Sequence, residues 1–89
     1  PIAEQELADL ESCFGVAMDH DITIIWQDDA TISHSKSVTG QITIDTVNRE
    51  PRYDLREVVR HELAHQFGNR ITQEQAKQFV RSWYHTSIE

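Results

Sequence analysis

Cysteine is nearly absent from this sequence: Cys13 is the only one in 89 residues. One thiol cannot form a disulfide within the chain or build a cysteine-rich zinc site, so both are excluded within one chain. This usage favours a reducing cytoplasm as the expected location. The chain also lacks internal repeats and any linker long enough to divide it. We therefore expect residues 1–89 to form one domain with a small core.

Long hydrophobic runs and positive charges are also scarce. No apolar run approaches the roughly 18 residues that a membrane-spanning helix needs. The start, PIAEQELADL, lacks the basic residues and apolar stretch of a signal peptide. The formal net charge is −7 at pH 7, whereas a nucleic-acid-binding surface needs clustered lysine and arginine. We expect neither a membrane nor a nucleic acid as a partner.

The first half of the chain is predicted to contain one helix followed by strands. Apolar residues at helical spacing predict a helix over residues 2–14. The β-branched and aromatic segment DITIIWQ at 21–27 predicts a strand whose IIW run is buried. Residues 28–40 are polar and predict a loop, with a short edge strand around 31–33. The alternating segment QITIDTV at 41–47 predicts a half-buried strand.

The second half carries the start and stop signals of two helices. Asp54 is a predicted N-cap and Gly68 a predicted C′ residue of one helix. Thr72 and Gln75 form a capping-box pair that begins a third helix, running to about Tyr84. The order helix, two or three strands, helix, helix predicts a small α+β domain around a twisted sheet. Its two C-terminal helices are expected to pack as a short hairpin.

The segment HELAH lies in the middle of the second predicted helix. His61 and His65 are one helical turn apart and differ by about 40° around the helix axis. They project from roughly the opposite side of the helix to its apolar stripe. That stripe consists of Leu55, Val59, Leu63 and Phe67. Two imidazoles at this spacing can converge on one Zn²⁺.

Glu62 completes the chemical pattern of HELAH. Its side chain is rotated about 100° from His61 on the helix, so it can reach a zinc-activated water without binding the metal. There it can take a proton from the water and pass it to a leaving amine. The competing explanation, two solvated surface histidines in a chance motif, leaves Glu62 without a role.

These residues resemble the zincin metallopeptidases. The matching segments are VVRHELAHQFG and the alternating strand GQITID that precedes it, so the resemblance covers about residues 40–84. It implies an active-site helix behind a small twisted sheet, whose edge strand binds an extended substrate. It also implies that His61 and His65 are zinc ligands and that Glu62 is the general base and acid.

The third zinc ligand separates the zincin subfamilies. The metzincin pattern HExxHxxGxxH matches through Gly68 and then fails, because Ile71 stands where the third histidine belongs. The gluzincin pattern takes a glutamate from the next helix, where this chain has Glu74. The sequence is therefore most similar to the minimal gluzincins, with a layout related to SprT-like and phage-regulator-type metallopeptidase domains.

Other residues compete with Glu74 for the third position. Glu74 itself has a common structural alternative, which is to complement the dipole at the start of its helix. His85 and then His34 are the next candidates, and His20 is a weaker one.

The expected function is that of a zinc metalloendopeptidase. Its substrate, a peptide or protein, would lie extended along a strand, either Gln41–Asp45 or the segment 31–33. One alternative is a regulatory or binding module that keeps the zincin fold and has little or no turnover. Another is a metal-free interaction domain in which the motif occurs by chance.

Overall fold

The computed structural model describes residues 1–27, 36–46 and 54–83. The elements are α1 (Ile2–Phe14), β1 (Thr23–Gln27), β2 (Lys36–Val38), β3 (Gln41–Asp45), α2 (Leu55–His65), a 3₁₀ turn (Gly68–Arg70) and α3 (Gln73–Phe79). This order confirms the predicted α+β fold, with a helix, a small sheet and two further helices. Within the described ranges, no helix has the length and apolar character needed to cross a membrane.

The three strands form one mixed sheet in the order β1-β3-β2. β3 lies in the centre, parallel to β1 and antiparallel to β2. Gly40, at the turn between β2 and β3, has a φ of 80°, a left-handed conformation that glycine adopts without a steric penalty. β2 was not predicted as a strand, because its residues fall in the segment 28–40 that was assigned to a loop. The edge strand predicted around 31–33 lies outside the described residues.

The burial predicted for the other two strands was wrong in both cases. In β1, Ile25 and Trp26 are 39% and 47% exposed, although the IIW run had predicted a buried strand. In β3, the predicted outward positions Thr43 and Asp45 are only 7% and 1% exposed. The cause is position in the sheet. β1 is an edge strand of the described sheet, whereas β3 has a strand on each side and is covered on both faces.

The predicted helix caps are largely present. Asp54 accepts a hydrogen bond from the backbone N–H of Glu57 at 2.9 Å, and Thr72 and Gln75 form the predicted capping box. The C-terminal ends differ from the prediction. α2 ends at His65, and Gly68 takes a left-handed φ of 59° where the chain turns away.

α3 is shorter than predicted. It ends at Phe79 instead of continuing to about Tyr84, because Val80 is extended, with φ −123° and ψ 103°. A separate helical turn follows over residues 81–83. That change in direction brings the side chains of the turn to α2, as described below.

The helices pack differently from the predicted hairpin. α2 lies mainly against α1, and α1 also contacts α3. The main partner of α2 is therefore α1, whereas the predicted hairpin had paired α2 with α3. The ring of Phe14 meets Phe67 edge-on at 5.1 Å and Phe79 at 5.9 Å, so α1 supplies the apolar surface that joins the segment just after α2 to the end of α3. The core consists of Leu10, Phe14, Ile42, Ile44, Val59, Leu63, Ala64, Phe67, Ala76, Val80 and Trp83.

Arg60 links all three helices through polar contacts. Its guanidinium donates to Glu6 and Asp9 of α1 at 3.0 and 2.7 Å and to the backbone carbonyl of Phe79 at 2.7 Å. The Arg60 side chain is 13% exposed and that of Glu6 10%. Arg56 also binds Glu6, at 2.6 Å, but its side chain is 49% exposed.

We expect Arg60→Ala to lower the free energy of unfolding by roughly 2–3 kcal/mol, because it removes the charged donor to the Phe79 carbonyl and one of the two arginines that bind the buried Glu6 carboxylate. Arg56→Ala is the matched control and is expected to cost about 1 kcal/mol or less, since exposed ion pairs contribute little. Denaturant unfolding of the two variants measures the difference. Equal losses would contradict the assignment of Arg60 as the link between the helices.

Candidate metal centre

The last turn of α2 brings the two histidines of HELAH together. His61 Nε2 and His65 Nε2 are 3.2 Å apart. Two nitrogens that each bind a tetrahedral zinc at about 2.0–2.1 Å lie about 3.3 Å from each other. The ring nitrogens therefore have the separation that a shared zinc requires. A hydrogen bond between the two rings is also possible at this distance, and it is the metal-free explanation of the same geometry.

The histidine pair is covered by Trp83. His61 is only 4% exposed, and the Trp83 ring lies 4.9 Å from the His61 ring and 4.5 Å from the His65 ring. Trp83 is itself held by a 2.8 Å hydrogen bond from Nε1 to Gln73 Oε1. The histidines do lie off the apolar stripe of α2, as predicted. They are not solvated surface residues, however, because the turn at 81–83 closes over that side of the helix.

Ser82 contacts the other nitrogen of the first imidazole. Its hydroxyl oxygen is 3.1 Å from His61 Nδ1, and Ser82 is 5% exposed. A histidine that binds a metal through one nitrogen characteristically hydrogen-bonds through the other, which fixes the ring orientation and the tautomer. His61 thus has a partner at Nδ1 while Nε2 faces His65.

Glu62 follows His61 on the helix and is also buried, with 2% of its surface exposed. A carboxylate in such a water-poor environment is costly to bury and is typical of functional sites. The structure therefore gives three adjacent ionisable side chains on one helix, two buried and the third, His65, half-buried.

The predicted third ligand does not join the pair. Glu74 lies in the first turn of α3 and is exposed. Among the described residues, no three histidine, cysteine, aspartate or glutamate side chains are grouped as a metal site. His34 and His85 lie outside the residues that the structure describes. The identity of Glu74 as the third ligand stays a prediction.

A polar network lies directly after His65 on α2. Gln66 is 7% exposed, and its side chain spans two parts of the fold. Gln66 Oε1 accepts from the backbone N–H of Gly40 at 2.9 Å, and Gln66 Nε2 donates to the Val38 carbonyl at 2.7 Å. The end of α2 is thereby fixed to the turn between β2 and β3.

His20 extends this network and was a weaker candidate for the third ligand. Its Nε2 lies 2.9 Å from Gln66 Oε1 and its Nδ1 lies 2.7 Å from Asp19 Oδ1. Both ring nitrogens thus face acceptors, which needs a hydrogen on each nitrogen. The hydrogen bond with Gln66, followed by that with Asp19, raises the pKa of His20 above its ordinary value. Since both nitrogens are engaged, His20 is not placed to bind a metal.

We expect the contacts of His20 to stabilise the fold most strongly at mildly acidic pH. Its pKa in the folded protein is raised above the unfolded value of about 6.5. The contribution is therefore complete below that pH and is lost as the pH rises through the folded pKa. His20→Gln keeps a hydrogen-bond donor for Gln66 but removes the titrating ring.

Melting temperatures of the wild type and His20→Gln at about pH 6 and about pH 9 test this expectation. The wild type should exceed the variant by more at the lower pH. The other charged groups that face His20 are Asp19 and Arg70, which stay charged over this range. A melting-temperature difference between wild type and variant that is the same at both pH values would contradict this role of His20.

Ser82 and Trp83 are the site residues that the sequence did not reveal. Trp83 falls in the predicted third helix at helical spacing from Ala76, Phe79 and Val80, a pattern that indicates burial but not contact with the histidines. Ser82 is 21 residues from His61 in the chain, and no local pattern connects them. The extended residue Val80, which redirects the chain, carries no clear sequence signal.

Comparisons with family models, curated proteins and solved structures found no match to this chain. Its function is therefore inferred from the residues and geometry of the site itself.

Proposed function

We propose that the protein is a zinc-dependent metallopeptidase of the zincin type. The observation that carries the proposal is the 3.2 Å separation of His61 Nε2 and His65 Nε2 on one face of α2. Buried Glu62, adjacent to His61, supplies the carboxylate that peptide hydrolysis needs. The donor set also suits the metal, since neutral imidazole is a preferred ligand of zinc.

His61 and His65 would hold the zinc, together with a third ligand that we propose to be Glu74. When bound, zinc polarises a carbonyl group and makes water a better nucleophile near neutral pH. Glu62 takes a proton from the attacking water and then delivers it to the nitrogen of the leaving amine. Trp83 shields the two imidazoles from solvent on their outer side, which supports a low-dielectric site.

Of the two segments expected to bind substrate, 31–33 lies outside the described residues and Gln41–Asp45 is the central strand of the sheet. β3 pairs on both sides, so its backbone cannot accept an added strand. β2 is an edge of the described sheet, and it contacts α2. Its Val38 carbonyl binds Gln66, the residue after His65. We therefore propose that an extended peptide adds along β2, close to the end of α2 that carries His65.

The proposed location of this activity is the cytoplasm. Cys13, the single cysteine of the sequence, is half-buried on α1, and a chain without a disulfide framework suits a reducing compartment.

A second candidate function is a zinc-binding regulatory module with little or no turnover. It is favoured by one observation, namely that Glu74 does not lie with the histidine pair. Two protein ligands leave the metal less firmly held than a catalytic zinc with three.

Cleavage of an unfolded protein by zinc-loaded material, with and without a chelator, tests the enzymatic proposal. We expect cleavage that the chelator abolishes and that added zinc restores. Zinc bound at one equivalent without cleavage across a broad peptide library would favour the module. Zinc content of the Glu74→Ala, His85→Ala and His34→Ala variants identifies the third ligand, which we expect to be Glu74.

A further inference from the structure

The contact between Ser82 and His61 bears on which ring nitrogen of His61 carries the hydrogen. A neutral imidazole has one N–H and one lone pair. If the hydrogen is on Nδ1, the lone pair of Nε2 points at the position shared with His65. If it is on Nε2, that lone pair is absent and zinc must displace the hydrogen before binding. A serine hydroxyl can accept a hydrogen bond from Nδ1–H or donate one to Nδ1, so the direction of this hydrogen bond decides how ready the site is.

We infer that Ser82 is a positioning residue for this metal centre. Its hydroxyl oxygen accepts the Nδ1–H of His61 and so keeps the Nε2 lone pair directed at the metal position. The inference rests on the proposed function for the identity of the metal and for the direction of the hydrogen bond, because an imidazole that binds zinc through Nε2 carries its hydrogen on Nδ1. The 3.1 Å contact gives the position of the hydroxyl.

Burial strengthens the influence of this hydrogen bond on the tautomer of His61. Ser82 and His61 are 5% and 4% exposed, so water competes poorly for either group, and a buried imidazole N–H left without an acceptor is costly. The turn that carries Ser82 is fixed by a hydrogen bond from Trp83 N–H to the Val80 carbonyl at 3.0 Å. The next residue, Trp83, contacts both imidazole rings and limits their rotation. The same turn thus places a hydroxyl beside one ring and limits the orientation of two.

The tautomer can be measured without zinc. In metal-free wild-type protein labelled with ¹⁵N at histidine, long-range ¹H–¹⁵N spectra of the neutral His61 ring should show hydrogen on Nδ1. In Ser82→Ala, this preference should be lost, and the Nε2–H form should become populated. Wild-type protein in which the His61 ring carries its hydrogen on Nε2 overturns the inference, and this reading needs no variant to fold.

Zinc affinity supplies the second measurement. Ser82→Ala should bind zinc about 10- to 100-fold more weakly than wild type in competition with a chromophoric chelator, the usual effect of removing a partner of a ligating histidine. Ser82→Thr keeps the hydroxyl and should retain most of the affinity. Ser12→Ala makes the same change at an exposed position of α1 and should bind like wild type.

The outcomes separate this inference from the proposed function. Wild-type protein that binds no zinc overturns the metallopeptidase proposal, while the tautomer of His61 is still decided by the metal-free spectra. Stoichiometric zinc with equal affinity in wild type and Ser82→Ala overturns the role of Ser82 and leaves the proposed function standing. A structural role alone would lower the melting temperature of Ser82→Ala without moving the tautomer, and that result also overturns the inference.

Discussion

Glu62→Gln is expected to lower the rate of peptide cleavage by about two orders of magnitude or more, the usual effect of losing a general base. Glutamine keeps the size of the side chain and most of its hydrogen bonding but cannot take a proton from water. Zinc affinity should stay near the wild-type value, because His61 and His65 hold the metal. The melting temperature should also change little, since the replacement leaves no cavity at this buried position.

Glu4→Gln is the matched control for that experiment. It makes the same chemical change at an exposed glutamate in the first turn of α1, on a different helix from the histidine pair. The control should cleave at the wild-type rate. If Glu62→Gln cleaves as fast as wild type while both bind zinc, Glu62 is not the base and the proposed mechanism is wrong. A Glu62 that only braces the helix predicts the reverse pattern, with lost stability and unchanged turnover.

The second large effect concerns the metal itself. His61→Ala or His65→Ala should abolish stoichiometric zinc binding, with affinity reduced by more than the roughly 10- to 100-fold that losing an outer partner costs. The reason is that each variant removes one of the three proposed protein ligands. The remaining two hold zinc poorly in competition with water. Zinc content after exhaustive dialysis, measured by elemental analysis, gives the answer.

His20→Gln is the matched control for the histidine variants. It also removes an imidazole near the end of α2, but one whose two nitrogens bind Asp19 and Gln66. This variant should retain one zinc per chain. Normal zinc content in His61→Ala or in His65→Ala would rule out the pair as the metal site.

Zinc should also raise the melting temperature of the wild type. The fold itself holds the two ring nitrogens 3.2 Å apart, so zinc should bind the native state in preference to the unfolded chain. His61→Ala should lose this response. A melting curve of the wild type that excess zinc does not change would count against a site formed by the fold.

The helices were largely predictable because their signals are local. The apolar spacing of residues 2–14 gave the bounds of α1 as the structure has them. Asp54 and the pair Thr72 and Gln75 marked the starts of α2 and α3, since caps depend on residues three positions apart. The end of α3 was missed because it follows from packing of the chain after Phe79.

The strands show where local patterns stop being informative. An alternating pattern predicts one buried face, and an apolar run predicts two. Yet β3 alternates and is buried at its last four residues, while β1 is an apolar run with Trp26 half-exposed. Burial depends on which strands become neighbours in the sheet. Here the strand order β1-β3-β2 places β3 in the centre, and no single segment of the sequence predicts that order.

The candidate site likewise has one part that the sequence predicted and one part that it did not. The approach of His61 to His65 follows from a spacing of four on a helix, and it was predicted. The cover by Trp83 and the contact from Ser82 depend on the extended residue Val80 and on the turn after it. These contacts bring together residues about 20 apart, so sequence periodicity could not reveal them.

A zinc titration followed at the histidine side chains tests the central claim most directly. In protein labelled with ¹⁵N at histidine, the Nε2 resonances of His61 and His65 should shift to metal-bound positions and saturate together at one equivalent of zinc. Those of His20 should not move. A metal centre at this pair would be contradicted if the His61 and His65 resonances stayed unchanged at saturating zinc. It would also be contradicted if they moved only after other histidines had bound zinc.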